Sequence, residues 1–324
     1  MAPILEIEGL KTRFQTRQGT VKALDGVNLS LDRGETLGVV GESGSGKTVL
    51  ALSIMRLVPQ PQGTIVAGRI LFKGKNLLDL SEKDMRNLRG KDLSMIFQEP
   101  MNSLNPVIRI GEQIAESVHL HRNISRSEAM DHALEMLKLV GMPSPEARLK
   151  NYPHQMSGGM RQRVMIAMAL SCNPSLMLAD EPTTALDVTI QAQILDLIDR
   201  LKSESGSSVI LITHDLGVIA EAARNAAVMY AGKIVEYAPV EELFSNPLHP
   251  YTSGLMESMP RTEILSKRRG PLKAIPGTVP NLVDLPPGCS FQDRCSFTMS
   301  ICREQEPQPF LKGPGHQVRC WKYN

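Results

Sequence analysis

Residues Gly41 to Thr48 read G-E-S-G-S-G-K-T, and every fixed position of the phosphate-binding pattern G-x-x-x-x-G-K-[ST] is filled. The flanks agree with the letters. Residues 36–40 (TLGVV) predict a short buried strand, and residues 48–57 (TVLALSIMRL) predict an apolar helix that begins as the glycines end. A strand, loop and helix in this order aim backbone N–H groups and the positive end of a helix dipole at an anion. Gly41, Ser43, Gly44 and Gly46 are the expected loop contacts, the glycines letting the backbone come close. Lys47 then supplies a point charge for the β- and γ-phosphates of a nucleotide, and the Thr48 hydroxyl a ligand for Mg²⁺. The body that carries such a loop is expected to be α/β.

Bulk properties bound what surrounds the loop. At 324 residues the chain exceeds the usual single core, which predicts one large domain plus an appendage. Apolar content of 42% and charged content of 22% describe an ordinary globular protein, and a net charge of +2 leaves no basic footprint for nucleic acid. No run of roughly 18 or more apolar residues is present to span a bilayer. The N-terminus MAPILEIEGL carries acids and no basic region, unlike a secretory signal. The expectation is a cytosolic protein, or one held at a membrane by partner chains. Four of the five cysteines and half of the 22 prolines lie after residue 245, so a loop-rich tail is expected to follow a regular body. No internal repeat is visible, which predicts one phosphate loop per chain.

Residues 4–14, 27–31 and 69–72 alternate like strands, and with the turn at 32–34 they predict a small antiparallel sheet. Phe14 sits where an aromatic ring could stack on adenine; packing on sheet neighbours is the alternative. Residues 93–97 (LSMIF) form another apolar run with Gln98 at its carboxyl end, where ligands of open α/β sheets bind. A glutamine there can reach Mg²⁺ or an attacking water. Residues 99–106 (EPMNSLNP) contain two prolines and cannot continue regular structure. Ser125 and Glu128 then form a capping box before a helical period at Met130, Ala133, Leu134 and Leu137, with Gly141 to end it. A helical insertion over about 108–168 is expected. Within it, Met156-Ser157-Gly158-Gly159-Met160 leads into an apolar helix, a second arrangement suited to an anion.

An apolar strand at 176–179 (LMLA) runs into Asp180-Glu181-Pro182, which puts both carboxylates at the carboxyl end of the sheet, over the phosphate loop. Asp180 is expected to hold Mg²⁺ through water, and Glu181 to polarise the attacking water as a general base. Ala185-Leu186-Asp187 precede a helix with apolar residues at Ile190, Ile194, Leu197, Ile198 and Leu201. The strand at 209–213 ends in His214-Asp215. A histidine at the carboxyl end of a core strand is expected at the site.

Phosphate loop, Gln98, Ser157-Gly158-Gly159, Asp180-Glu181, Asp187 and His214, in this order, resemble the nucleotide-binding subunit of an ABC transporter over about residues 4–240. The resemblance implies a P-loop NTPase cassette with a RecA-like core, an antiparallel β subdomain and a helical subdomain, spanning 1–245. It also implies ATP hydrolysis with Mg²⁺. Two such subunits meet head to tail, with ATP between the phosphate loop of one and the Ser-Gly-Gly signature of the other. Asp187 then lies at the subunit seam, and His214 contacts the γ-phosphate. The helical insertion and residues 98–106 transmit the motion to membrane partners. Met160 departs from the pattern, where most signatures carry Gln; the backbone of 157–159 is expected to do most of the phosphate binding.

The tail, 246–324, resembles the irregular, Cys/Pro-rich C-terminal extension of oligopeptide and dipeptide importer ATPases in Asn-Pro-Leu-His-Pro-Tyr-Thr at 246–252 and Ile-Pro-Gly-Thr-Val-Pro at 275–280. Nickel and glutathione importers have similar extensions. The implied partners are a second, non-identical ATPase subunit, two transmembrane permease subunits and an extracytoplasmic substrate-binding protein. The implied place is the cytoplasmic face of a bacterial or archaeal membrane, reached through partners, with no nucleic acid bound. A soluble ABC ATPase of DNA repair or translation would carry two cassettes, a long coiled-coil insertion or internal zinc modules, and none is visible. A small-molecule kinase would need neither the signature nor His214. Cys289-x5-Cys295-x6-Cys302-x17-Cys320 offers four thiolates, enough for a 4Fe–4S cluster or a tetrahedral zinc, and the spacing alone leaves the metal open. The resemblance implies a 4Fe–4S cluster, with zinc as second choice, acting as a staple for a tail with little core. Lys267-Arg268-Arg269 reads as a solvated loop.

Overall fold

Leu5, Ile7, Leu10 and Thr12 are buried along Leu5–Thr16 (β1) in the computed structural model, which describes residues 2–98, 103–184, 187–259 and 274–323. The alternation slips by one at Gly9, where φ is +56° and the N–H is taken by the Asn28 side chain. That is the mark of an extra residue in a two-residue period. Gly19–Leu31 (β2) returns beside β1 after a two-residue turn. It is longer than the apolar pattern at 27–31 predicts, because its first four residues are at most half-buried and show no alternation. All five residues of Thr36–Val40 (β3) are buried, as a strand covered on both faces requires. Lys47–Ile54 (α1) follows the phosphate loop. Gly63–Phe72 (β4) lies beside β1 on the side away from β2 and turns into a hairpin with Lys75–Asn76 (β5).

The chain gathers into two units. One comprises Met1–Leu5, Leu31–Thr36 and Leu71–Ile212; the other comprises Glu6–Ser30, Leu37–Ile70 and Thr213–Asn324.

In the first unit, Ser81 caps Glu82–Leu88 (α2). Leu93–Ile96 (β6), Leu176–Asp180 (β7) and Ser208–Thr213 (β8) are parallel neighbours, with Asp180 opposite Ile212. Ile110–Arg122 (α3), Arg126–Leu139 (α4) and Gly158–Leu170 (α5) pack on one another. The Ser125/Glu128 capping box opens α4, and Gly141 follows its end at φ +67°. Val188–Ser205 (α6) buries Ile194, Leu197, Ile198 and Leu201, four of the five apolar positions its period predicts.

In the second unit, Asp215 caps Leu216–Ala222 (α7). β3 runs parallel to Asn225–Tyr230 (β9), which pairs antiparallel with Lys233–Pro239 (β10). Val240–Ser245 (α8), Pro250–Glu257 (α9) and Ser300–Glu304 (α10) belong here too. Phe310–Gly313 (β11) pairs with His316–Val318 (β12), and β12 pairs with β10. This hairpin is absent from the sequence reading because strands of four and three residues are too short to show a period.

The Glu236 carboxylate, fully buried on β10, ties the tail down. It accepts the N–H groups of Leu248 (2.7 Å) and His249 (2.8 Å), and His316 Nε2 lies 2.8 Å from it. His249 Nδ1 in turn accepts the Tyr251 N–H at 3.1 Å, which needs a neutral ring. Burial pulls this imidazole down from 6.5 to about 3. Below pH 6.5 the unfolded chain takes up a proton that the folded chain refuses. The stability is therefore complete above that pH and declines as pH falls, by at most about 1.4 kcal/mol per pH unit. The unfolding midpoint is expected to drop between pH 6.5 and 4, and His249→Asn to flatten that slope. An equal slope in the variant, measured by calorimetry, would assign the acid sensitivity to another group.

Candidate active site

The phosphate loop takes a shape that only its own residue types permit. A Cβ at Gly41 would stand 2.2 Å from the Met229 carbonyl oxygen, and one at Gly46 2.6 Å from that of Ala23. Gly44 meets open space, but its φ of +79° disfavours any other residue. Gly46 begins α1 with φ +107° and no side-chain cap, and the first turn holds no acid. The start of a helix of this kind favours an anion. Ser43, Gly44 and Thr48 are exposed while Lys47 is buried, its Nζ bonded to the carbonyls of Gly41 (2.7 Å) and Glu42 (3.0 Å). The cradle and its donors fit a polyphosphate. The exposed Thr48 hydroxyl of the second unit, and the Asp180 carboxylate and Gln98 amide of the first, are each hard oxygen donors of the kind that Mg²⁺ takes.

Gln98 and Glu181 come together. Glu181 accepts from Gln98 Nε2 at 3.1 Å and from the Thr184 hydroxyl at 2.8 Å. Its backbone sits at φ +45°, an uncommon conformation for a side-chain-bearing residue, held by its N–H to Ile212 O (2.9 Å) and by Thr184 N–H to its own carbonyl (3.2 Å). Thr184 escaped the sequence reading; the only trace of it is its place three residues beyond Glu181 in a proline-started turn.

Ser157 caps α5 by accepting the Met160 N–H at 3.3 Å, which leaves Ser157 and Gly158 exposed at the helix start. A Cβ at Gly159 would meet Ile190 Cγ2 at 3.2 Å, so this glycine lets α5 approach α6. Asp187 caps α6 through the Ile190 N–H at 2.9 Å. Gln162 Nε2 donates to the Pro182 carbonyl, joining the signature helix to the turn after Glu181, a link with no signal in the sequence. His214 is exposed directly after β8. Phe14 is half-buried, and its ring edge fills the space a Cβ at Gly63 would need, 2.7 Å away. Residues 99–102, 185–186 and 267–269 of the sequence reading lie outside the described residues.

The expected 4Fe–4S cluster, and zinc as its alternative, are overturned. Among the described residues no group of three or more His, Cys, Asp or Glu is placed to hold a metal ion. Cys289, Cys295, Cys302 and Cys320 are free thiols that line one cavity with His249, Phe291 and Trp321. That cavity measures about 10 Å³, about what one water needs and far below an iron–sulfur cube. Burial pushes the Cys289 thiol up to about 11 and raises Cys320 as well. Of the four, only Cys302 is buried, and the other three are half-buried around the cavity.

Residues 24–184 match the family model of the ABC transporter, and residues 235–302 match the oligopeptide/dipeptide transporter C-terminal region. The chain is 54% identical over 324 residues to the probable peptide ABC transporter ATP-binding protein y4tR of Sinorhizobium fredii, across 99% of this chain and 95% of the relative. It is 54% identical over 318 residues to the oligopeptide transport ATP-binding protein OppD of Bacillus subtilis, across 98% and 88%. Among solved structures, the dimeric structure of MJ0796, a bacterial ABC transporter cassette, matches with a TM-score of 0.66 and 27% identity, covering 73% of this chain and 98% of that one. The dimeric post-hydrolysis state of the same cassette, bound to ADP and Pi, matches equally well.

Proposed function

The chain belongs to the ABC transporter ATP-binding proteins, which hydrolyse ATP, and we propose that the work it powers is the import of di- and oligopeptides. The observation that carries the cargo class is the match of residues 235–302 to the oligopeptide/dipeptide C-terminal region, supported by relatives named for peptide transport over nearly the whole chain. Nickel or glutathione as cargo has no such support.

In this reading the phosphates of ATP rest on the backbone of 41–46 and on Lys47. Thr48, Gln98 and Asp180 would hold Mg²⁺, which when bound would neutralise charge on the phosphates. Glu181 takes the proton of the attacking water, and the Gln98 and Thr184 donors fix its direction. His214 contacts the γ-phosphate, Phe14 is the candidate face for adenine, and the Ser157–Gly159 amides serve the nucleotide of a second ATPase subunit, with Asp187 at the seam. Residues 1–245 form the nucleotide-binding domain, with a helical part at about 108–168, and 246–324 the extension. The assembly contains a second, non-identical ATPase subunit, two permease subunits and an external binding protein. Among the described residues no helix is long and apolar enough to cross a membrane, and the chain sits on the cytoplasmic face through its partners.

Deleting this chain from its source cell is expected to abolish uptake of a labelled tripeptide, and resupply to restore it. Normal peptide uptake in the deletion, with nickel or glutathione uptake lost, would reassign the cargo.

A further inference from the structure

Two tail motifs with no assigned role converge on one residue of the phosphate loop. Glu42 is the acid within G-E-S-G-S-G-K-T. Its carboxylate takes a two-pronged bond from Arg294, Nη1 to Oε2 at 2.6 Å and Nη2 to Oε1 at 2.9 Å. Its N–H donates to Tyr251 Oη at 2.8 Å, and its carbonyl accepts from Lys47. Arg294 is 6% exposed and also donates to the tail backbone and to β9. Nε donates to the Pro276 carbonyl at 2.8 Å and Nη1 to Tyr230 Oη at 3.4 Å. Its guanidinium lies 5.7 Å from the Tyr230 ring and 5.8 Å from that of Phe291. Gly277 makes room for it, since a Cβ there would stand 3.3 Å from Arg294 Cγ. Tyr251 belongs to the motif at 246–252 and Pro276-Gly277 to that at 275–280. The Tyr251, Tyr230 and Phe291 rings pack together at 4.7–5.4 Å, which fixes the Tyr251 hydroxyl.

A carboxylate in a phosphate loop opposes the triphosphate it must receive. Solvent-exposed ion pairs contribute little, but a forked pair with a buried guanidinium is different, since removing one partner strands the other charge. We propose that Arg294 and Tyr251 are positioning residues for the ATP site: the extension draws the Glu42 charge away from the phosphates and sets the loop in its binding shape. The inference rests on the ATP-hydrolysing role above and gives the extension a function within it.

The test is Mg·ATP affinity of the full chain by calorimetry, with KM and kcat of the assembled complex. Arg294→Met is expected to weaken ATP binding and raise KM about tenfold, with kcat at saturating ATP changed by less than about threefold. Glu42→Gln in the same chain removes the stranded charge and is expected to restore affinity to within about threefold of wild type. Unchanged affinity in Arg294→Met overturns the proposal. So does weakened affinity that Glu42→Gln does not rescue, which would mean that the arginine merely stabilises the tail. Where Arg294→Met does not fold, Tyr251→Phe decides, because its ring stays in the aromatic cluster. It is expected to speed amide exchange at Glu42 and weaken ATP binding about threefold, and wild-type values for both overturn the proposal. A wild-type chain that binds no Mg·ATP would sink the nucleotide reading itself, a distinct outcome.

Discussion

Glu181→Gln is expected to lower ATP turnover of the assembled complex by about two to four orders of magnitude, the range that a positioned general base supplies. ATP binding should be preserved. The substitution keeps the shape, and an amide oxygen can still accept from the Thr184 hydroxyl that now lies 2.8 Å from the carboxylate. The backbone at φ +45°, pinned to Ile212 O, is indifferent to which head group the side chain carries. What is lost is the proton acceptor. Phosphate release by the complex and calorimetric binding of Mg·ATP separate the two effects. Turnover near wild type would remove Glu181 from the role of base, and lost binding would make it a ligand of the nucleotide. Thr184→Val offers a graded companion, since it removes the hydroxyl that donates to the carboxylate. Its effect on kcat should fall between wild type and Glu181→Gln.

Most of this machinery is legible in the sequence because it is local. The phosphate loop is a contiguous pattern between two apolar runs; β3 forms at the expected 36–40, and α1 starts at Lys47 but ends at Ile54, short of the expected 57. Ser125 and Glu128 find each other across one helical turn, because a capping box depends on local spacing. Legibility fails where partners are distant in the chain. Arg294 and Glu42 are separated by 252 positions, and no residue pattern announces that a tail arginine serves the loop. The cysteines mislead for the same reason. Four thiols in a proline-rich tail suggest ligands, yet ligation depends on where the side chains point and on how much room lies between them. Among the described residues no such group is placed to hold a metal ion. Gly63 is silent too: its need to be glycine comes from Phe14 and Val58 pressing on it, not from a turn.

Ser157→Arg is expected to spare ATP binding to the isolated chain and to abolish transport. Ser157 is exposed at the start of α5, so a long side chain there displaces solvent and not core. The folded state loses the bond from the Met160 N–H, a cap that contributes about 0.5–2 kcal/mol, which a helix anchored by buried Val164, Ile166 and Ala167 can lose without unfolding. The proposed closure of two ATPase subunits is more demanding. Throwing a two-state switch from 1:99 to 99:1 takes roughly 5.5 kcal/mol of differential binding. Charge-assisted hydrogen bonds contribute about 1.5–3 kcal/mol each, so two or three bonds from Ser157, Gly159 and the α5 amides to a γ-phosphate are enough. Nothing is to spare if a guanidinium occupies their place. The check is ATP-dependent association of the chain with its ATPase partner by light scattering, made in the Glu181→Gln background so that hydrolysis does not reopen the pair. Peptide uptake by the Ser157→Arg importer completes it. Association as tight as that of the parent, with undiminished uptake, would sink the idea that the signature of one subunit closes on the nucleotide of the other.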